Sequence, residues 1–101
     1  MTTQNNAIIR GKILYYLALI YPQAATFPLV QGNLQLFGYP APIDELDLHL
    51  TYLAKKKLVS LDKFNRSHRV RRVRVVKITV KGIDYHDGRL PQDEGIYVEP
   101  K

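Results

Sequence analysis

Pro42–Leu58 reads PIDELDLHLTYLAKKKL and leads, through one short strand and a turn, into His68–Gly82, HRVRRVRVVKITVKG. How these two stretches join decides the fold. The first puts Pro42 and acids in its opening turn and three lysines in its last, an order that suits the helix dipole at both ends. Ile43, Leu46, Leu50, Leu53 and Ala54 recur at helical spacing and predict the buried stripe. That leaves Asp44, Asp47, Leu48, Thr51, Tyr52 and Lys55 facing outward, with His49 beside Tyr52 on the free face. Leu58–Phe64, LVSLDKF, alternates with Val59 and Leu61 on one side, and Asn65–His68, NRSH, is turn chemistry. The arginine-bearing stretch then returns as the second strand of a hairpin. Along it Val73 and Val75 share one parity while Val76, Ile78 and Val80 share the other, so a bulge near Val75 and Val76 is expected.

Working outward, Asn5–Pro22 (NNAIIRGKILYYLALIYP) predicts a first helix. Ile9, Ile13, Tyr16, Leu17 and Ile20 form its buried line, Asn5 or Asn6 caps it and Pro22 closes it. Ile8, Tyr15 and Leu19 make a second apolar line, more than one core requires. Burial on two sides within the monomer and contact with a second copy both account for it, so these three are the candidate dimer residues. Thr26 is the expected cap of a second, short helix with Pro28 in its first turn. Leu29, Val30, Leu34 and Phe37 are expected to face inward, and Gly38 to end it. Thr79 is the expected cap of a last short helix, VKGIDYHDG, that Gly88 terminates. The tail, RLPQDEGIYVEPK, has no periodicity and reads as irregular chain on the domain or free of it. The expected organisation is therefore a domain over residues 1–90 and an irregular tail over 91–101.

A chain of 101 residues holds one modest core, and its apolar and charged fractions, 46% and 24%, are those of an ordinary globular domain. It has no cysteine, hence no disulfide framework, thiolate metal site or thiol nucleophile, which suits a reducing, cytoplasmic setting. The first residues lack a basic flank, and the apolar stretch after them is interrupted by Gly11 and Lys12. Neither a signal peptide nor a membrane span is expected there. The net charge of +6 is concentrated: residues 1–50 carry two basic groups against three acids, whereas Lys55–Lys81 holds eleven Lys or Arg and a single acid, Asp62. Such a block attracts polyanions through many weak, salt-sensitive contacts.

Three helices, a basic two-stranded hairpin and a short closing helix are the parts of an α+β winged helix-turn-helix: a three-helix core, a third helix with a free face, and a wing beside it. The run LDLHLTYLAKKKLVSLD followed by ITVKGIDYHDGRL resembles the recognition helix, wing and final helix start of winged-helix regulators. More narrowly, the chain resembles a family of small, largely uncharacterised proteins of Mu-like phages and prophages. Leu50, Leu53, Leu58 and Val59, then Thr79, Gly82, Asp84, Gly88 and Arg89, then Gly95 and Ile96 carry that resemblance. It implies a winged-helix, DNA-binding regulator or accessory factor. This chain departs from typical readers by placing Asp44, Glu45 and Asp47 at the head of helix three, where groove-reading side chains are usually basic or amide-bearing. The wing is therefore expected to dominate any nucleic-acid contact.

The candidate nucleic-acid contacts are Lys63, Arg66, Arg69, Arg71, Arg72, Arg74 and Lys77 on the hairpin and Thr51, Tyr52 and Lys55 on helix three. Guarding a strand edge against pairing needs only one or two charges per strand, and seven basic groups exceed that. Double-stranded DNA is the expected partner, and a homodimer through the first helix stays open beside a monomer. The alternative is a protein-interaction module whose basic hairpin meets an acidic phage or host protein. RNA is a third option, without the aromatic strand platform that RNA-binding sheets use. The strongest enzyme-like cluster is Asp84, His86 and Asp87, but on a helix the two carboxylates share a side from which His86 points away. Neither an enzyme activity nor a metal or cofactor is expected.

Overall fold

The computed structural model describes residues 3–65 and 72–99. Arg66, Arg69, Arg71 and most of the expected turn lie outside the described residues. The elements run α1 (Thr3–Ile20), β1 (Ala25–Thr26), α2 (Phe27–Leu36), α3 (Ile43–Lys55), β2 (Val59–Asn65), β3 (Arg72–Ile78) and α4 (Val80–His86). The strands form one antiparallel sheet in the order β1-β3-β2. Three helices, a small sheet and a closing helix make the expected α+β winged helix.

Local stereochemistry sets the helix ends. The Thr26 hydroxyl accepts from the Leu29 amide and begins α2, and the Thr79 hydroxyl accepts from the Gly82 amide and begins α4. Gly38 and Gly88, at φ 88° and 83°, end the same two helices. The end of α3 has the same hydrogen-bond pattern, Lys57 N–H to Ala54 C=O and Leu58 N–H to Leu53 C=O. The left-handed position there, φ 64°, falls to Lys57 instead of glycine.

Four expectations need correcting. α1 is helical from Thr3, so Asn5 and Asn6 lie within it and do not cap it. β1 had no counterpart in the sequence reading; its two residues pair Ala25 with Val76 and Thr26 with Val75. The hairpin has no bulge: its register runs unbroken from Val59↔Ile78 to Asn65↔Arg72. Val59, Val76 and Ile78 face the core, while Val75, on the other parity, is half-buried, so no change of face is needed between Val75 and Val76. Finally, Leu29 and Phe37 do not face inward, and neither does Ile43, which is exposed at the start of α3. α2 buries Phe27, Val30 and Leu34, and Leu29 is 55% exposed.

The core gathers Ile13, Leu14 and Leu17 of α1, Leu34 of α2, Leu46, Leu50 and Leu53 of α3, and Val76 and Ile78 of β3. It also includes Ile96, from the irregular segment after residue 90, which is 1% exposed. Residues 91–99 contain no helix or strand and lie along α1, with Tyr97 N–H donating to Ala7 C=O at 2.9 Å. A side chain at Gly11 would strike the Tyr97 carbonyl, so the close approach depends on glycine. The second apolar line of α1 divides accordingly: Ile8 is half-buried, while Tyr15 and Leu19 stay exposed. Among the described residues no helix is long and apolar enough to cross a membrane.

Candidate nucleic-acid interface

The outer face of α3 carries Asp44, Leu48, Thr51 and Lys55, all exposed, with Leu48 71% accessible between polar neighbours. Thr51 and Lys55 thus face outward, as their helical spacing predicts. Tyr52 is turned aside. Its ring lies under the Arg10 guanidinium, 3.8 Å from ring centroid to Cζ, and its hydroxyl donates to Asp93 Oδ1 at 2.9 Å.

The three acids at the head of α3 have different surroundings. Asp47 pairs with Arg74 of β3 at 3.1 Å, and that guanidinium lies 4.4 Å from the Phe27 ring centroid. Glu45 turns inward, its Oε1 shielded from solvent beside His49. Asp44 is left exposed. Two of the three carboxylates are thereby drawn off the outer face, which lessens the repulsion a phosphate wall would meet there.

On the hairpin, Arg74 is a predicted contact that the structure holds against α3. Lys63 stands opposite Arg74 in the register, and Asn65 opposite Arg72. Lys77 is exposed on the other side of β3, with its ammonium 6.0 Å from the Tyr21 ring. Lys55 ends α3, Lys56 follows as its cap, and Lys56 pairs with Asp93 at 3.0 Å. In the Asp84, His86 and Asp87 group both carboxylates pair with Arg89, at 3.1 and 3.5 Å. Among the described residues, no group of His, Asp or Glu is placed to hold a metal ion.

His49 is not on the free face, where the sequence reading put it; it is 3% exposed. Leu46 precedes it by three residues and Leu53 follows by four, so spacing alone would have assigned it to the buried stripe. Arg10 donates from Nε to His49 Nδ1 at 3.1 Å and from Nη1 to the Gly95 carbonyl at 3.1 Å. Accepting at Nδ1 leaves the imidazole proton on Nε2, 3.7 Å from Glu45 Oε1 and beyond hydrogen-bond reach. Burial, followed by the Arg10 charge, lowers the His49 pKa, against an upward pull from Glu45. Asp93 completes the network. Its Oδ1 accepts from the Gly95 amide, and that bond, followed by the Lys56 ammonium, holds its carboxyl below the usual range. Arg10, His49, Tyr52 and Asp93 were not identified as a group, because they meet only through contacts distant in sequence.

The sequence matches no protein-family model and no curated protein. The fold is similar to solved structures. A PadR-like transcription factor from Bacteroides fragilis matches at 21% identity and a TM-score of 0.59, over 75% of this chain and 74% of its own. A PadR family transcription regulator from Clostridium difficile matches at 16% identity and a TM-score of 0.60, over 76% and 77%. Bacillus subtilis PadR in complex with operator DNA matches at 12% identity and a TM-score of 0.59, over 80% of this chain but 48% of that one. These likenesses establish the winged-helix fold.

Proposed function

We propose that the chain is a winged-helix DNA-binding protein, a transcriptional regulator or accessory factor of phage or prophage origin, that docks on duplex DNA mainly through its basic wing. The observation that carries this reading is the charge layout on the fold: the ribbon beside α3 bears most of the chain's excess positive charge, while Asp47 and Glu45 are turned away from the free face of α3. The Bacillus subtilis PadR of similar fold was solved with operator DNA, which supports a duplex partner. In this reading Lys63, Arg66, Arg69, Arg71, Arg72 and Lys77 meet phosphates, Thr51 and Lys55 reach toward the groove, and Arg74 and Tyr52 brace the scaffold. A second copy docks through Tyr15 and Leu19, which doubles the site.

Fluorescence anisotropy on a random duplex at two salt concentrations tests the reading. Each phosphate contact steepens the fall of affinity with salt. Reversing Arg69, Arg71 and Arg72 to Glu should weaken binding at low salt by on the order of 100-fold and flatten the salt slope. Unchanged affinity would rule out the wing mechanism. Asp44, left exposed at the head of α3, favours a second reading, in which the scaffold is a protein-interaction module and the hairpin meets an acidic protein. Retention of an acidic partner with no duplex binding at low salt would select it.

A further inference from the structure

Four rings from four segments meet beside α1. Tyr15 and Phe37 touch edge to face with centroids 6.0 Å apart. His86 of α4 lies 5.9 Å from Tyr15, and Tyr97 of the C-terminal segment lines the same hollow. The cavity they border measures about 260 Å³. An apolar cavity of roughly 150 Å³ accommodates benzene, so this one has room for one or two fused rings with a short polar arm. Tyr15, Phe37 and Tyr97 are all partly exposed, which leaves ring surface available to a ligand.

The cavity also carries a matched pair of charges. Lys12 Nζ donates to Glu99 Oε1 at 2.9 Å, and the ammonium stands 5.6 Å from the Phe37 centroid. This pair selects among occupants. A singly charged ligand that parts Lys12 from Glu99 satisfies one and leaves the other to solvent, so what it gains at one charge is offset by the ion pair it breaks. A neutral aromatic gains ring contacts alone. A zwitterion replaces both halves, its carboxylate meeting Lys12 and its ammonium meeting Glu99, while its ring enters the hollow. Its ammonium also lies within reach of the faces of aromatic rings. We infer that this cavity is a binding site for a small aromatic zwitterion, the chemistry of an aromatic α-amino acid.

The site shares Tyr15 with the proposed contact between copies but nothing with the proposed DNA surface, and it can be tested without nucleic acid. The chain contains no tryptophan, so the fluorescence anisotropy of L-tryptophan reports on the ligand alone. Four probes share one ring: L-tryptophan, tryptamine, indole-3-acetate and indole. L-tryptophan should give a saturable rise and bind at least tenfold tighter than each of the other three. Lys12→Met or Glu99→Gln alone should weaken it only slightly, because each also removes the internal ion pair that the zwitterion has to displace. The double variant, which loses both ligand contacts, should bind about tenfold more weakly. Urea unfolding of each variant establishes that it is folded. Absence of saturable binding by L-tryptophan would overturn the site. Equal binding of indole, or undiminished L-tryptophan affinity in the double variant, would overturn the zwitterion assignment.

Discussion

Arg74 lies 3.1 Å from Asp47, so the base of the wing is tied to the head of α3 by an ion pair that also covers the Phe27 ring. Both partners are more than a third exposed, which keeps the ionic contribution small. A double-mutant cycle on Arg74→Ala and Asp47→Ala, read by urea unfolding, should give a coupling of about 0.5 to 1 kcal/mol. Arg74→Ala alone should cost more than Asp47→Ala, because it also uncovers Phe27. A coupling of zero would remove the brace.

His49 gives stability a pH dependence. Its folded pKa lies below the ordinary 6.5, so between that lowered value and 6.5 the unfolded chain binds more protons than the folded one. The contribution is therefore fully present above about pH 6.5 and declines as pH falls toward the folded pKa. Asp93 titrates below the ordinary carboxylate value of 3.8, so its contribution is lost in a separate, more acid window. His49→Asn keeps an acceptor for Arg10 without the titration. Urea midpoints between roughly pH 5 and 7.5 should slope for the parent chain and flatten in the variant. Equal slopes would contradict the assignment.

Gly11 sets how closely the C-terminal segment lies on α1. Gly11→Ala puts a methyl into the Tyr97 carbonyl, and although alanine is the better helix former, the net effect should be a loss of about 1 to 3 kcal/mol. Amide exchange at Tyr97, protected by its bond to Ala7, should accelerate in the variant. A stabilised variant with Tyr97 still protected would show that the segment is not held there.

Lys57 holds a left-handed conformation at the end of α3, where α2 and α4 use glycine. Lys57→Gly should raise stability by about 0.5 to 1 kcal/mol, since relief of Cβ crowding outweighs the added freedom of the unfolded chain. The measurement is thermal or urea unfolding, and a loss of stability would mean that the lysine side chain supplies more than its backbone costs.

The parts of the fold visible in the sequence are those fixed by a few neighbouring residues. Thr26 and Thr79 cap helices because a hydroxyl reaches an amide three residues on, and Gly38 and Gly88 end them because the turn requires positive φ. The Leu46, Leu50 and Leu53 stripe of α3 was equally legible. What the sequence hid was settled at long range. β1 is two residues whose pairing lies on β3, some fifty positions away. Ile96 enters the core through hydrogen bonds from Tyr85 and contacts to α1, which no local periodicity announces. His49 was misplaced because its polarity was weighed above its position between two buried leucines. The basic character of the candidate interface was evident from composition. The withdrawal of Arg74, Tyr52 and Glu45 from its outer face depends on partners that only the folded chain brings near.

The straight register of the hairpin fixes a separation of charge. From Val76, which is in the core, and its partner Leu61 to Asn65 and Arg72 the ribbon advances four residues, about 13 Å at ~3.3 Å per residue. Counter-ions at physiological strength damp a field over about 8 Å. At physiological strength the backbone at Asn65 and Arg72 therefore lies beyond the reach of a charge at the level of the Val76 pair, and only in dilute buffer do the two levels of the ribbon sense one another.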